Sequence, residues 1–165
     1  MMPYFRNRIK ATITLFSVIL SMMSCNEVSV NTNSENEKQK EIELRKVVEK
    51  VWEDANNSNI QALKDAHLNS PKFSKFGPRM GQRQNVTTTN MSETEHFLLI
   101  RETKLVIEDL KIDIFGDIGI ATFYNNYNFI KNNNHIKGKG RVTLVFVNAD
   151  SGWKILHEHS SPYKE

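Results

Sequence analysis

The chain has 165 residues, enough for one domain with a sizeable core and too few for two. Lysine and arginine together number 22 against 19 acidic residues, a formal charge of +3. Three of those bases, Arg6, Arg8 and Lys10, lie in residues 1–24 without any acid, so the rest of the chain is balanced and gives no general basic surface for nucleic acid.

Arg6, Arg8 and Lys10 form a basic flank, and residues 11–23 are a mostly apolar run, shorter than the ~20 residues a transmembrane helix needs. The run ends at Ser24-Cys25, which holds the chain's only cysteine and so excludes an internal disulfide. Leu20-Ser21-Met22-Met23-Ser24-Cys25 resembles a bacterial lipoprotein signal, with Met22 where that pattern usually has leucine. The resemblance implies a signal peptide over residues 1–24, lipidation of Cys25 and a membrane anchor through the N-terminal lipid. Asn26 is not the aspartate that retains such proteins at the inner membrane, so a place in the bacterial envelope, on the outer membrane, is expected. Residues 25–40 are Asn, Ser, Glu, Lys and Gln with little apolar content, the composition of a disordered tether.

Residues 42–55 place Leu44, Val47, Val48, Val51, Trp52 and Ala55 at three–four spacing, which predicts a long amphipathic helix. Ser58 with Gln61 reads as a capping box opening a short helix through Leu68, and Asn69-Ser70-Pro71 ends it. Residues 72–78 predict a short strand or turn bearing Phe73 and Phe76, and residues 77–90 a polar loop. Ser92 with Glu95 reads as a second capping box for a helix reaching about Glu102. The period then changes to two: strands over 110–114, 118–130 and 135–147, turns at Gly116-Asp117 and Asn132-Asn133-Asn134, and a last strand after Gly152. Helices first and a four-strand antiparallel meander after them is an α+β pattern. In a regular final strand Trp153, Ile155, His157 and His159 share one face.

Trp153-Lys154-Ile155-Leu156-His157-Glu158-His159-Ser160 resembles the closing strand of the nuclear transport factor 2-like superfamily. Its SnoaL-like and calcium/calmodulin-dependent protein kinase association-domain branches are the most similar. The helix with Trp52, the run Ile120-Ala121-Thr122-Phe123-Tyr124 and the run Gly140-Arg141-Val142-Thr143 agree. The resemblance covers about residues 41–163 of a domain expected over 41–165, and implies a cone: a curved antiparallel sheet of about four long strands plus a short one, wrapped around N-terminal helices. It also implies a pocket inside and a homodimer through the sheet's outer face. The isomerases and dehydratases of the superfamily use an Asp or a Tyr/His set in the cone, and no such set is matched here residue by residue.

His157 and His159 are the candidate catalytic bases, since imidazole titrates near neutral pH. An H-x-H pair could also give two metal ligands, but a third would have to come from His67, His96, His135, Asp109 or Glu158, none at metal-binding spacing. No metal and no cofactor are expected. By the resemblance Arg141 projects into the cone, where its forked donors suit an anion. Tyr124 lies at the matching position of the adjoining strand, and Trp52, Phe73 and Phe76 line the walls. Arg141 could instead pair with Asp65 or Glu158. The expectation is a lipid-anchored envelope protein binding a small polar or anionic ligand in the cone without catalysis. Its alternatives are an isomerase, dehydratase or hydrolase using a pocket histidine, and a dimerisation or partner-binding scaffold.

Overall fold

Leu44, Val47, Val48, Val51 and Trp52 form the inward stripe of a long helix, α1 (Val28–Asn56), and Leu44 and Val48 are wholly buried. The computed structural model describes residues 28–78 and 81–163, and Glu37–Glu165 form one compact unit. The expected signal peptide and Cys25 lie outside the described residues. The expected tether over residues 25–40 is helical from Val28 onward, where α1 begins. Its Glu, Lys and Gln residues are strong helix formers, and Gln39 Nε2 donates to Glu43 Oε1 one turn on (2.9 Å). Residues 34–39 nonetheless remain exposed, so this part of the helix extends without burial.

Two helix starts differ from expectation. Helix α2 (Ile60–Ala66) is capped by Asn59, not Ser58, which has left-handed backbone at φ 52°. Helix α3 (Val86–Leu99) starts within the expected loop, where Asn85 and Thr88 form a reciprocal cap. Asn85 Oδ1 accepts from Thr88 N (2.9 Å), and Thr88 Oγ1 accepts from Asn85 N (3.1 Å). The threonine hydroxyl fills the role usually given to glutamate, so the Ser92 and Glu95 motif falls inside the helix.

The sheet has five strands in the order β1-β5-β4-β3-β2. Strands β2 (Ile100–Phe115), β3 (Ile118–Lys131), β4 (Asn134–Ala149) and β5 (Gly152–Tyr163) form the antiparallel meander, and β1 (Ser74–Phe76) pairs in parallel with β5. Strand β2 is far longer than the period-two run suggested. It is broken by register shifts at 101–104 and 108–111, where Glu102 and Asp109 adopt φ near 53° and 54°. Such bulges add twist and bend a strand, and they curve the sheet around the helices. The fold is therefore α+β with an open, curved sheet, as expected. Its core joins Leu44 and Val48 of α1 to Phe73, Ile112, Ala121, Phe123, Val142, Leu144, Phe146, Trp153 and Ile155.

A third bulge decides what the last strand presents. Phe146 pairs with Ile155 but Val145 pairs with His157, so Leu156 is the extra residue on β5. Before it, Trp153 and Ile155 face the helices. After it the alternation is inverted: Glu158 and Ser160 stand beside inward-facing Leu144 and Val142, while His157 and His159 stand beside Val145 and Thr143 on the outer face. The regular alternation read from the sequence stops at Leu156.

Candidate functional site

The inward turn of Glu158 completes a buried charged cluster. Lys75 on β1 is the register partner of Glu158, and its Nζ lies 2.8 Å from Glu158 Oε1. The same ammonium lies 2.6 Å from Glu93 Oε1 on α3. His67, just after α2 and 5% exposed, brings Nε2 to 3.8 Å from that Glu93 oxygen. Its Nδ1 lies 3.0 Å from Asn90 Oδ1, so the ring is held between the Asn90 amide and the Glu93 carboxylate. Burial alone would weaken the charge on Lys75. The Glu158 and Glu93 carboxylates outweigh it and raise the ammonium's pKa well above the usual lysine range.

Lys75, Glu93 and Glu158 together bring one ammonium and two carboxylates, a net charge of one negative. The Glu93 and Glu158 side chains keep 19% and 15% of their surface open. Potential ligand atoms of His67, Glu93 and Glu158 lie within 4.8 Å of one another, the right types for a metal. Lys75 stands among them and already supplies the positive charge that an ion would bring.

Nearby, the interior turns aromatic. Trp52 Nε1 donates to Asn125 Oδ1 (3.1 Å), and its ring meets Phe123 edge-on at 4.6 Å. Tyr127 lies across Gly138, where a Cβ would come within 2.4 Å of its Oη, and stacks on Phe129. His96 packs edge-on against Phe129 at 5.5 Å. Burial first, then the charges of Lys131 and Lys75, lowers its pKa below the ordinary histidine value.

Of the ligand and wall residues singled out in the sequence, Trp52 and Phe73 face the interior. Arg141 is exposed on the outer face with Tyr124 as its register partner on β3. His159, also exposed, and His157 share that face, and Phe76 pairs with His159 across β1 and β5. These five come together, but on the side of the sheet away from the helices, and the expected cone placement is corrected for all of them. His157 is tied to Ser74, Nδ1 to Oγ at 2.8 Å. Arg141 pairs with neither Asp65 nor Glu158 but lies 4.8 Å from the Tyr163 ring centre. Lys75 and Glu93 were not singled out, and His67 and Glu158 figured only as metal-ligand guesses. A signal for Lys75 existed in the alternation of Phe73 and Lys75, which puts a lysine on the same side as a core phenylalanine.

A family model described as the SnoaL-like domain matches residues 44–164. The chain belongs to the SnoaL-like family. Its fold is shared by solved structures of the NTF2-like superfamily. A candidate dehydratase from Streptomyces avermitilis superposes with a TM-score of 0.71 at 14% identity, covering 78% of this chain and 99% of that one. A nuclear transport factor 2 (NTF2-like) superfamily protein from Salmonella enterica serovar Typhimurium gives 0.68 at 18% identity, covering 78% and 94%. A candidate Ca/calmodulin-dependent kinase II association domain from Exiguobacterium sibiricum gives 0.64 at 15%, covering 75% and 93%. No curated protein matches the chain. At these identities the likeness carries the fold, and the site stands on its own geometry. No helix among the described residues is long and apolar enough to cross a membrane.

Proposed function

We propose that this SnoaL-like protein binds a small polar ligand inside the cone, at the cluster of His67, Lys75, Glu93 and Glu158. One observation carries this reading: two partly open carboxylates share a single buried ammonium, leaving a net negative charge and spare acceptor atoms in an aromatic surround. Such a site suits hydroxyls or an amine, whose hydrogen-bond donors pair with Glu93 and Glu158. The basic flank and sole cysteine of the N-terminus support an envelope protein held by a lipid on Cys25. Pairing of two copies through the apolar half of the outer sheet face, around Phe115, Ile118, Ile120, Val145 and Val147, completes the proposal. Light scattering that reports a monomer would remove that last part.

Thermal melting of the full chain against polyols and amines, beside Glu93→Gln, tests the site. Stabilisation of the wild type that the variant loses is the expected result. Equal responses of both proteins would sink the reading.

A second reading, an acid–base enzyme, draws on the adjacency of Glu93 and His67 and on the dehydratase named for the Streptomyces neighbour. Its test is deuterium uptake from heavy water into hydroxy and keto compounds. Uptake abolished by Glu93→Gln supports the enzyme; none with either protein leaves binding alone.

A further inference from the structure

We propose that the outer face of β2, β3 and β4 carries a second, independent site, for a carboxylate-bearing oligosaccharide. The strand register assembles it. Asn128 has Lys104 on one side and Lys137 on the other; Asn126 has Val106 and Lys139; Tyr124 has Glu108 and Arg141. All belong to the face opposite Phe123 and Val142, so four cations gather there around a single carboxylate. Glu108 is held by Lys139 at 2.8 Å. Among the described residues no carboxylate pairs with Lys104, Lys137 or Arg141.

Charge alone would be a solvated patch, but two of these cations are fixed in place. Tyr124 and Tyr163 meet edge-on at 5.3 Å. The Arg141 guanidinium lies 4.8 Å from the Tyr163 ring centre, and Lys139 Nζ lies 4.9 Å from that of Tyr124 and 5.6 Å from that of Tyr163. The contact with Tyr163 holds the Arg141 charge without neutralising it, whereas Lys139 is also paired with Glu108, so an anion binding at Arg141 loses little side-chain freedom. Beside them an open depression of about 690 Å³ is lined by Glu108, Asn126, Asn128, Lys137, Lys139 and Tyr163, and by Tyr127, whose ring stacks on Phe129.

The occupant follows from the chemistry. The depression is too open to enclose a metabolite, and it suits a stretch of a longer molecule. Lysine and arginine side chains on alternate residues of β4 stand about 7 Å apart and offer a row of carboxylate partners. The Asn128 amide can both donate to and accept from hydroxyls, and Asn126, which hydrogen-bonds Glu108, offers its carbonyl oxygen. Single-stranded nucleic acid also needs cations, but it needs free aromatic faces for its bases as well. Here those of the two tyrosines are taken by Lys139 and Arg141, which favours an acidic glycan.

Calorimetric titration of the full chain with hexagalacturonate at low and high salt tests the site, with maltohexaose and oligothymidylate as controls. Hexagalacturonate is expected to bind at low salt, to weaken as salt screens the charges, and to lose about tenfold in affinity in Lys137→Ala and in Arg141→Ala. Maltohexaose is expected to give no heat. Melting curves establish that both variants are folded, and Glu93→Gln, which empties the cone site, should bind hexagalacturonate like the wild type. No binding at low salt, equal binding by maltohexaose, wild-type affinity in both variants, or tighter binding of oligothymidylate would each overturn the proposal.

Discussion

Lys75 and Glu158 are register partners in the parallel pairing of β1 with β5, and their side chains meet at 2.8 Å inside the cone. Strand pairing and the ion pair therefore stabilise each other. A three-residue strand has few backbone hydrogen bonds to hold it, and the buried charge supplies a second tie between the same two elements.

Replacing Lys75 by methionine keeps the volume and removes the charge. Glu93 and Glu158 then face each other with no counter-ion, and loss of one partner of a buried pair typically costs about 3–5 kcal/mol. Urea unfolding at neutral pH should show a loss at the lower end of that range, since both carboxylates keep some contact with water. Adding Glu93→Gln should recover part of it. The wild-type ammonium is held above its unfolded value of 10.5, so its contribution is complete below that pH and is lost only as pH rises beyond the range where lysine usually titrates. Lys75 should therefore cause no fall in stability between neutral pH and pH 10.

His96 acts in the opposite sense. Its folded pKa lies below the unfolded value of 6.5, because burial, Lys131 and Lys75 all disfavour the imidazolium. The unfolded chain then binds more protons, and the fold should lose stability as pH falls from 6.5 through the folded pKa. His96→Gln should flatten that part of the profile, and the imidazole resonances of His96 should titrate below the ordinary value of 6.5. An ordinary pKa for His96 would contradict this.

Gly119 is required by a close approach. A Cβ there would stand 2.2 Å from Leu44 Cδ2 and 3.3 Å from Trp153 Cζ3. Leu44 is wholly buried and cannot retreat, so Gly119→Ala should cost about 1–3 kcal/mol as overpacking. Combined with Leu44→Ala, the alanine at 119 should cost little more. A double-mutant cycle that proved additive would refute the contact.

Deleting Leu156 offers a sharp test of the bulge. Without the extra residue, His157 would follow Ile155 directly and still face outward, and Glu158 would still face Lys75. The shortened chain is expected to fold with a melting point lowered by a few degrees, and to unfold further on Lys75→Met. A chain that fails to fold would show that the bulge itself is needed for the curvature of β5.

The sequence made the inward stripe of α1, the meander and the turns legible, because each is a local pattern of period, propensity or turn residue. It did not reveal the face assignment beyond Leu156. A bulge with neither glycine nor left-handed backbone leaves no local mark; only the pairing of Val145 with His157 defines it. The cluster was hidden for a related reason. His67, Lys75, Glu93 and Glu158 come from four separate segments, and beyond the alternation of Lys75 with Phe73 nothing local joins them until strand pairing puts Lys75 beside Glu158. Of the outer-face residues, Arg141 and Tyr124 were correctly read as neighbours, since cross-strand proximity follows from a meander with short turns, while the choice of face does not.

Ser74 and His157, the first register pair of β1 and β5, are separated by 83 residues of chain, whereas the hairpins of the meander close over a few. Closing so long a loop is entropically costly, and it is recovered over only three residue pairs. The sheet thus has one edge strand that can detach while β2 to β5 stay paired, and with it goes the only ammonium of the cluster. Access of water and solutes to Glu93 and Glu158 is then set by how often β1 lets go of β5.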